Sequence, residues 1–280
     1  MSDSPNQTEK YDAFKALHDG GKTFVIPNPW NAGTARILAG MGFQALATTS
    51  AGLAFSLGYL DGADCVSRDT VLQNAREIVE ATNLPVSADL ENGFGAEPET
   101  CAETIRLASG TGLVGGSIED ATGNKDTPIY DFSHAVERVT AAVEAAADLP
   151  FLLTARAENF LHGRPDLDDT IRRLQAFSEA GADVLYAPGL PDIEAIRTVC
   201  ASVDKPVNVV MGLKGPTYSL TELQDAGVAR VSVGGSFARA AFGGFYAAAQ
   251  EVKDSGTFTY AGQAMPGAKI ASFMDSVKRG

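Results

Sequence analysis

Eight short aliphatic runs recur along this chain, at residues 23–28, 43–50, 85–90, 114–119, 151–155, 184–187, 207–211 and 231–234, with segments of helical period between them. The runs lack the polar alternation of a half-exposed strand, which implies burial on both faces, as in a parallel sheet. The helical segments stop where C-terminal signals predict: 67–82 ends in Asn-Leu-Pro, 97–109 at Gly110 and 168–180 at Gly181. Eight β-then-α units without a strand-rich block elsewhere predict a closed (β/α)8 barrel of the TIM type. At 280 residues, 45% hydrophobic, residues 1–280 read as one such domain. A doubly wound open sheet is the competing architecture. It is disfavoured because Asn-Pro-Trp-Asn, not Gly-x-Gly-x-x-Gly, follows the first strand. Residues 1–10 read as loosely attached. Residues 256–280 lie beyond the eighth unit as a C-terminal extension, with a helix expected at 267–279 that caps the barrel or crosses to a neighbouring subunit.

Charge narrows the partners. With 22 basic and 35 acidic residues the net charge is −13, which repels nucleic acid and anionic membrane, and no basic run offsets it. An anionic substrate must then be held by a metal ion or by a few placed Arg and Lys side chains. The three cysteines, Cys65, Cys101 and Cys200, are odd in number and far apart, which suits a reduced cytoplasmic protein better than a disulfide framework or a zinc site. The start, MSDSPNQTEKYD, has no apolar signal core. The apolar stretches are strand-sized, shorter than the roughly 20 residues of a membrane helix.

In a (β/α)8 barrel the active site forms at the C-terminal ends of the strands. There the third run ends Ala88-Asp89-Leu90-Glu91, the fourth Ser117-Ile118-Glu119-Asp120 and the fifth Ala155-Arg156-Ala157-Glu158. Asp89 and Glu91 stand two apart, so on a strand both point to the same side, and Glu119 joins them from the adjacent strand. Three such carboxylates stay ionised together only beside positive charge, and Mg²⁺, held by a few carboxylates and several waters, supplies it. The competing reading has each acid capping a helix or pairing with an arginine. Arg156 has two readings as well: a clamp on a substrate carboxylate or phosphonate, or an internal counter-ion for Glu119 or Glu158. His18, His134 and His162 fall outside the strands, which argues against a His-based metal cluster, and no lysine sits inside a strand to form a Schiff base. Lys125 and Lys214 are on loops. Val233-Gly234-Gly235-Ser236 has the form of a phosphate-gripping turn or of simple tight packing, and Trp30 lines the pocket or lids the barrel end. Asn208, on the seventh run, is placed with the substrate-binding residues.

The segments IPNPWNAGTARIL, ATTSAGLAFSLGYLDG, PVSADLENGFG, GGSIEDA, ARAENFLHGR, GADVLYAPGL and GVARVSVGGSFARAA stand in family order over nearly the whole chain. On them the sequence resembles the isocitrate lyase/phosphoenolpyruvate mutase superfamily. The resemblance implies a barrel with one helix often exchanged between subunits of a dimer or tetramer. It also implies a Mg²⁺ or Mn²⁺ ion and substrates that pass through an enolate of pyruvate. Carried over by position, Asp89 is the direct metal ligand, Glu91 and Glu119 hold the metal partly through water, and Asp61 sits at the site's edge. Ser50, Ala51 and Gly52 offer a hydroxyl and backbone N–H groups to the substrate carboxylate, and Arg156 clamps the anion. Lys125 is in register with a lysine on the family's mobile loop.

The departures bear on the reaction. The usual Asp-x-Asp reads Asp89-Leu90-Glu91 here. Carbon–carbon lyases carry Lys-Arg-Cys-Gly on the closing loop, where this chain has Lys125-Asp126-Thr127-Pro128, so Thr127 replaces the Cys. Thr127 and Arg156-Ala157-Glu158 are similar to the phosphonopyruvate branch, yet the sixth strand ends Ala187-Pro188-Gly189, without the mutases' His or the lyases' Glu. The leading expectation is a metal-dependent lyase or decarboxylase cleaving a C–C bond of an α-keto or 2-hydroxy carboxylate. A phosphonopyruvate hydrolase or mutase and a keto-acid-binding barrel without turnover are the alternatives.

Overall fold

The computed structural model describes residues 4–62 and 66–275. Eight parallel strands form one sheet: β1 (Phe24–Ile26), β2 (Leu46–Ala47), β3 (Val86–Asp89), β4 (Gly115–Glu119), β5 (Leu152–Arg156), β6 (Val184–Tyr186), β7 (Val207–Val210) and β8 (Arg230–Ser232). Each lies within or overlaps one of the eight aliphatic runs. The order β1-β8-β7-β6-β5-β4-β3-β2 brings the first and last strands together. At the remaining seam the Ala47 N–H donates to the Pro27 carbonyl at 3.0 Å, and Asn28 Nδ2 donates to the Thr48 carbonyl at 2.8 Å. The sheet is a nearly closed (β/α)8 barrel.

Helices α1 (Gln7–Asp19), α2 (Ala32–Gly40), α3 (Ser50–Ser56), α4 (Arg68–Glu80), α5 (Pro98–Ser109), α6 (Phe132–Ala146), α7 (Leu167–Glu179), α8 (Ile193–Ser202), α9 (Leu220–Asp225), α10 (Ser236–Ser255) and α11 (Gly267–Met274) fill the connections and termini. Alternation along the strands sorts the core. Leu153 and Ala155 of β5 pack outward with Ala142, Leu174 and Phe177 of the helices, whereas Leu152 packs inward with Phe14, Phe24, Ile26, Ala45 and Val114. Phe14 comes from α1, so this helix plugs the N-terminal end of the barrel. Gly115 makes room for it, since a Cβ there would meet Phe14 Cε1 at 3.1 Å and the Leu152 carbonyl at 2.9 Å.

One expectation about the termini changes, and another is met over the described residues. Residues 7–10 are not loosely attached: Asn6 and Glu9 form a reciprocal N-terminal cap, and Gln7 Nε2 donates to the carbonyls of Ser109 and Leu113, each at 2.8 Å. A polar start is what a capped, half-exposed helix looks like. The helix expected at 267–279 is α11, which lies on α2, with Arg36 bonded to the Met274 carbonyl. Its expected continuation past 275, like Cys65, lies outside the described residues. Among the described residues no helix is long and apolar enough to cross a membrane.

Candidate active site

A cavity of about 370 Å³ opens among the C-terminal ends of the strands, and Ser50, Asp61, Asp89, Arg156, Tyr186 and Lys214 are on its wall. Asp89 ends β3 and is fixed from two sides. Ser50, at the start of α3, gives it Oγ at 2.9 Å and its backbone N–H at 3.2 Å, and Arg156 Nη1 lies 3.1 Å away. The strand end itself is held by the Asp89 N–H donating to Thr48 Oγ1 at 3.0 Å.

Arg156, at the end of β5, is divided among three acids: Nη1 on Asp89, Nη2 on Glu119 at 3.1 Å and Nε on Glu158 at 2.8 Å. Its guanidinium also stands 5.1 Å over the Tyr186 ring. In this state it is the internal counter-ion, though for three carboxylates at once. Register explains the cluster, because Glu119 of β4 pairs directly with Arg156 of β5, and Asp89 of β3 pairs with Ser117 of β4. Behind it Asp120 accepts from the Glu158 N–H at 2.8 Å and from Arg173 Nη1 at 3.0 Å, fastening the ends of β4 and β5 to α7.

One guanidinium does not balance the acids around it. Burial pushes the Glu119 carboxyl well above its ordinary range. Arg156 pulls it back, and the charges of Glu158, Asp89 and Glu91 push it up again. Burial likewise raises Glu158. Asp61, which shares a hydrogen bond with Ser50, is raised by desolvation first and by Asp89 second. Asp61, Asp89, Glu91, Glu119 and Glu158 thus form an oxygen-rich, electron-rich patch beside the cavity. Among the described residues no three His, Cys, Asp or Glu side chains converge as a ready-made ligand group. The set fits a hard cation bound through one or two carboxylates with water filling the rest of its shell: Asp89 and Asp61 face the cavity, with Glu119 close behind.

Several sequence expectations need correction. Glu91 is not on the strand, because β3 stops at Asp89 and Glu91 adopts a left-handed conformation with φ of 49°. Its position comes from that turn and from the Glu119 N–H donating to its carbonyl at 3.0 Å, not from strand alternation. Gly52 is a packing residue off the cavity wall; a Cβ there would meet Thr49 Cγ2 at 2.7 Å and Trp30 Cβ at 2.9 Å, and its N–H donates to Thr49 Oγ1. Trp30 is likewise absent from the cavity wall, packed on that glycine and accepting from Asn74 Nδ2 at its carbonyl. Ala51 does line the cavity. The 233–236 turn is already occupied, since the N–H groups of Val233 and Gly234 both donate to Asn28 Oδ1 at 2.9 Å. Lys125 and Thr127 sit on an exposed loop, closed on itself by the Ala121–Ile129 bridge and the Thr122 N–H on the Pro128 carbonyl, away from the cavity wall. Lys214 is the loop lysine that reaches the wall.

Asn208 does line the cavity, within an interior polar cluster that sequence reasoning missed. Its Nδ2 donates to Ser232 Oγ at 3.0 Å, and its Oδ1 accepts from Arg230 Nε at 2.8 Å. Tyr186 joins at Ser232, its hydroxyl pushed up by burial. The available signal was an Arg-x-Ser spacing across Arg230 and Ser232, which places both on the inner face of β8.

Comparison with known proteins places this geometry. The family model described as phosphoenolpyruvate phosphomutase matches residues 14–253. A Burkholderia cenocepacia J2315 structure, whose own assignment goes no further than lyase/mutase, is 57% identical, with a TM-score of 0.94 and 98% of each chain covered. The 2-methylisocitrate lyase of Escherichia coli K12 is 29% identical over 232 residues, 76% of this chain and 78% of that one. A phosphonopyruvate hydrolase solved with oxalate and Mg²⁺ is 25% identical, with a TM-score of 0.84 over 95% of this chain and 94% of that one.

Proposed function

Since the chain belongs to the phosphoenolpyruvate phosphomutase family, we propose that it is a divalent-metal-dependent enzyme that cleaves a C–C bond of an α-keto or 2-hydroxy carboxylate through an enolate, as a lyase or decarboxylase. The carrying observation is the mismatch at the cavity wall, with one guanidinium among Asp89, Glu119 and Glu158 and with Asp61 and Glu91 adding further negative charge. Asp89 would hold Mg²⁺ or Mn²⁺ directly, with Asp61 at its edge and Glu91 and Glu119 bonded through water. Such an ion supplies Lewis acidity that stabilises the negative charge developing on an enolate oxygen.

The chain's own groups do the rest. Ser50 and Ala51 line the cavity, and the Ser50 hydroxyl and the Ala51 N–H would meet a substrate carboxylate there. Arg156 turns from the acids toward that anion once their charge is met elsewhere. The loop at 120–131 carries no cysteine. This favours decarboxylation, in which the C–C bond breaks with loss of CO2, no hydroxyl proton has to be taken, and the enolate carbon can gain its proton from water. The Arg156–Glu158 pair, bonded at 2.8 Å, keeps a P–C reaction as the second reading, because the Arg-x-Glu pattern is shared with the phosphonopyruvate branch.

The test is a substrate panel of oxaloacetate, 2-methylisocitrate and phosphonopyruvate with Mg²⁺. EDTA should abolish the turnover found and Mg²⁺ or Mn²⁺ should restore it. Full activity in metal-free protein would sink the assignment. The assembly is part of the same proposal. Helix α10 presents Phe242, Phe245 and Tyr246 to solvent, 41%, 72% and 67% exposed, and would pack on a second copy in a dimer or tetramer. Light scattering that finds a monomer at micromolar concentration would refute this.

A further inference from the structure

The cavity does not end at the acid cluster. It continues inward along the barrel axis to Ser87, Ser117, Asn208 and Arg230. Arg230 is the first residue of β8 and bonds Thr154, one inward-facing position below Arg156 on β5. It is only 5% exposed, and its hydrogen bonds all go to uncharged acceptors. Nε donates to Asn208 Oδ1 at 2.8 Å, Nη2 to Thr154 Oγ1 at 3.0 Å and Nη1 to His18 Nε2 at 3.3 Å. His18 is neutral, since burial and the charge of Arg230 draw its imidazole down to about 3, and its Nδ1 donates to the Phe14 carbonyl at 2.8 Å.

A guanidinium has five N–H donors, so two of Arg230's have no partner among the described residues. No described carboxylate pairs with it, whereas Arg156 holds three and Arg173 two. A buried cation without a counter-charge is strongly unfavourable. A strut joining β7, β5 and α1 would need hydrogen-bond donors but not a charge, and this one opens onto the cavity of an enzyme that must capture anions against a net charge of −13.

We propose that Arg230, with Asn208 and Ser232, forms a second anion subsite on the cavity floor that receives a carboxylate. The occupant is the far carboxylate of a dicarboxylic substrate whose keto-acid end lies at Asp89 and Arg156. The assignment of that upper end rests on the proposed function; the charge at the floor does not.

Calorimetric titration of the full-length, Mg²⁺-loaded protein tests this with two probes. Both carboxylates of oxalate lie within the keto-acid site, whereas 3,3-difluorooxaloacetate carries its second carboxylate one carbon beyond the keto-acid unit. Arg230→Met should weaken difluorooxaloacetate at least tenfold and leave oxalate within twofold, while Arg230→Lys keeps part of the difference. Formate titrated into the oxalate complex separates a free carboxylate from a tethered one, and saturable formate binding lost in Arg230→Met also supports the subsite. Equal weakening of both probes, or no change in any of the three, overturns it. If the Met variant does not fold, the Lys variant decides: difluorooxaloacetate weakened more than oxalate supports the subsite, and equal affinities or equal weakening overturn it. Failure of oxalate to bind the wild-type protein would instead overturn the reading of the upper site, and formate binding to the metal-free protein would then decide Arg230 alone.

Discussion

Replacing Arg156 by methionine tests whether the acid cluster is held together by one guanidinium. The variant keeps the bulk of the side chain and removes the partner of Asp89 at 3.1 Å, Glu119 at 3.1 Å and Glu158 at 2.8 Å. At such distances and an effective dielectric near 20, each contact carries roughly 5 kcal/mol of attraction. Most of that is offset by desolvation. Removing one partner of a buried pair nevertheless costs about 3–5 kcal/mol, because the other charge stays buried without compensation. At about 2–4 °C per kcal/mol for a large domain, the melting temperature of metal-free protein should fall by roughly 6–20 °C.

The deficit should also depend on pH. Without the guanidinium, the carboxyls of Glu119 and Glu158, raised already by burial, rise further in the folded variant. Between the unfolded and folded pKa values the folded variant then binds more protons than the unfolded chain, so its stability falls as pH rises, by up to about 1.4 kcal/mol per pH unit per carboxyl. His18, Asp61 and Asp120 shift in both proteins and largely cancel in the difference. Urea unfolding of the two proteins in EDTA should show a gap that widens from pH 5 to pH 8 and narrows when Mg²⁺ is added. A variant within 1 kcal/mol of wild type at pH 8 without metal would refute the electrostatic account, since it would mean that water already screens the three acids.

Other consequences are quicker to check. Asp89→Ala should lose more Mg²⁺ affinity than Glu91→Gln, whose loss of an outer partner corresponds to roughly 10–100-fold; equal losses in a titration would make Glu91 a direct ligand. Amide exchange over residues 120–131 should slow when oxalate and Mg²⁺ bind, as expected of a loop that closes over the site, and unchanged exchange would leave that hairpin a fixed surface feature. Oxalate and Mg²⁺ should tighten each other's binding by the same factor, as linkage requires; oxalate binding at full strength in EDTA would separate the two.

Much of this architecture is legible in the chain because burial on both faces of a strand leaves an unmistakable apolar run. All eight runs contain or overlap a strand, and the acids at the ends of β3 and β4 are brought together as strand position predicts. What was not legible depends on which hydrogen bonds form. The N–H groups of Val233 and Gly234 look available in sequence, yet Asn28, more than 200 residues away, takes both. Trp30 looks like a pocket residue until its Cβ is found packed on Gly52 of α3. Glu91 looks like a strand residue until the strand ends at Asp89 and Glu91 itself turns left-handed. The first two are tertiary contacts that no local pattern encodes, and the third is a backbone turn that strand alternation conceals. Arg230 escaped for the opposite reason, since one charged residue at the start of an aliphatic run reads as a boundary and not as the inner wall of a barrel.

The buried arginines indicate how so acidic a protein can still take an anion. Arg173 is held by Asp120 and Asp169, and the two terminal nitrogens of Arg138 by the backbone carbonyls of Asn92, Gly95 and Ala96, with its Nε left without a partner among the described residues. Neither can be released without dismantling a loop. Arg156 is different, because its acids are the same groups that suit a cation. A divalent ion at Asp89 would neutralise part of the charge that now pins the guanidinium, freeing it for a substrate carboxylate at no net loss of compensation. Metal and substrate would then favour each other through this one side chain, and the acid cluster would serve as a gate on it. The excess negative charge around Arg156 is on this view what keeps the keto-acid end of the cavity from accepting an anion before the metal is in place.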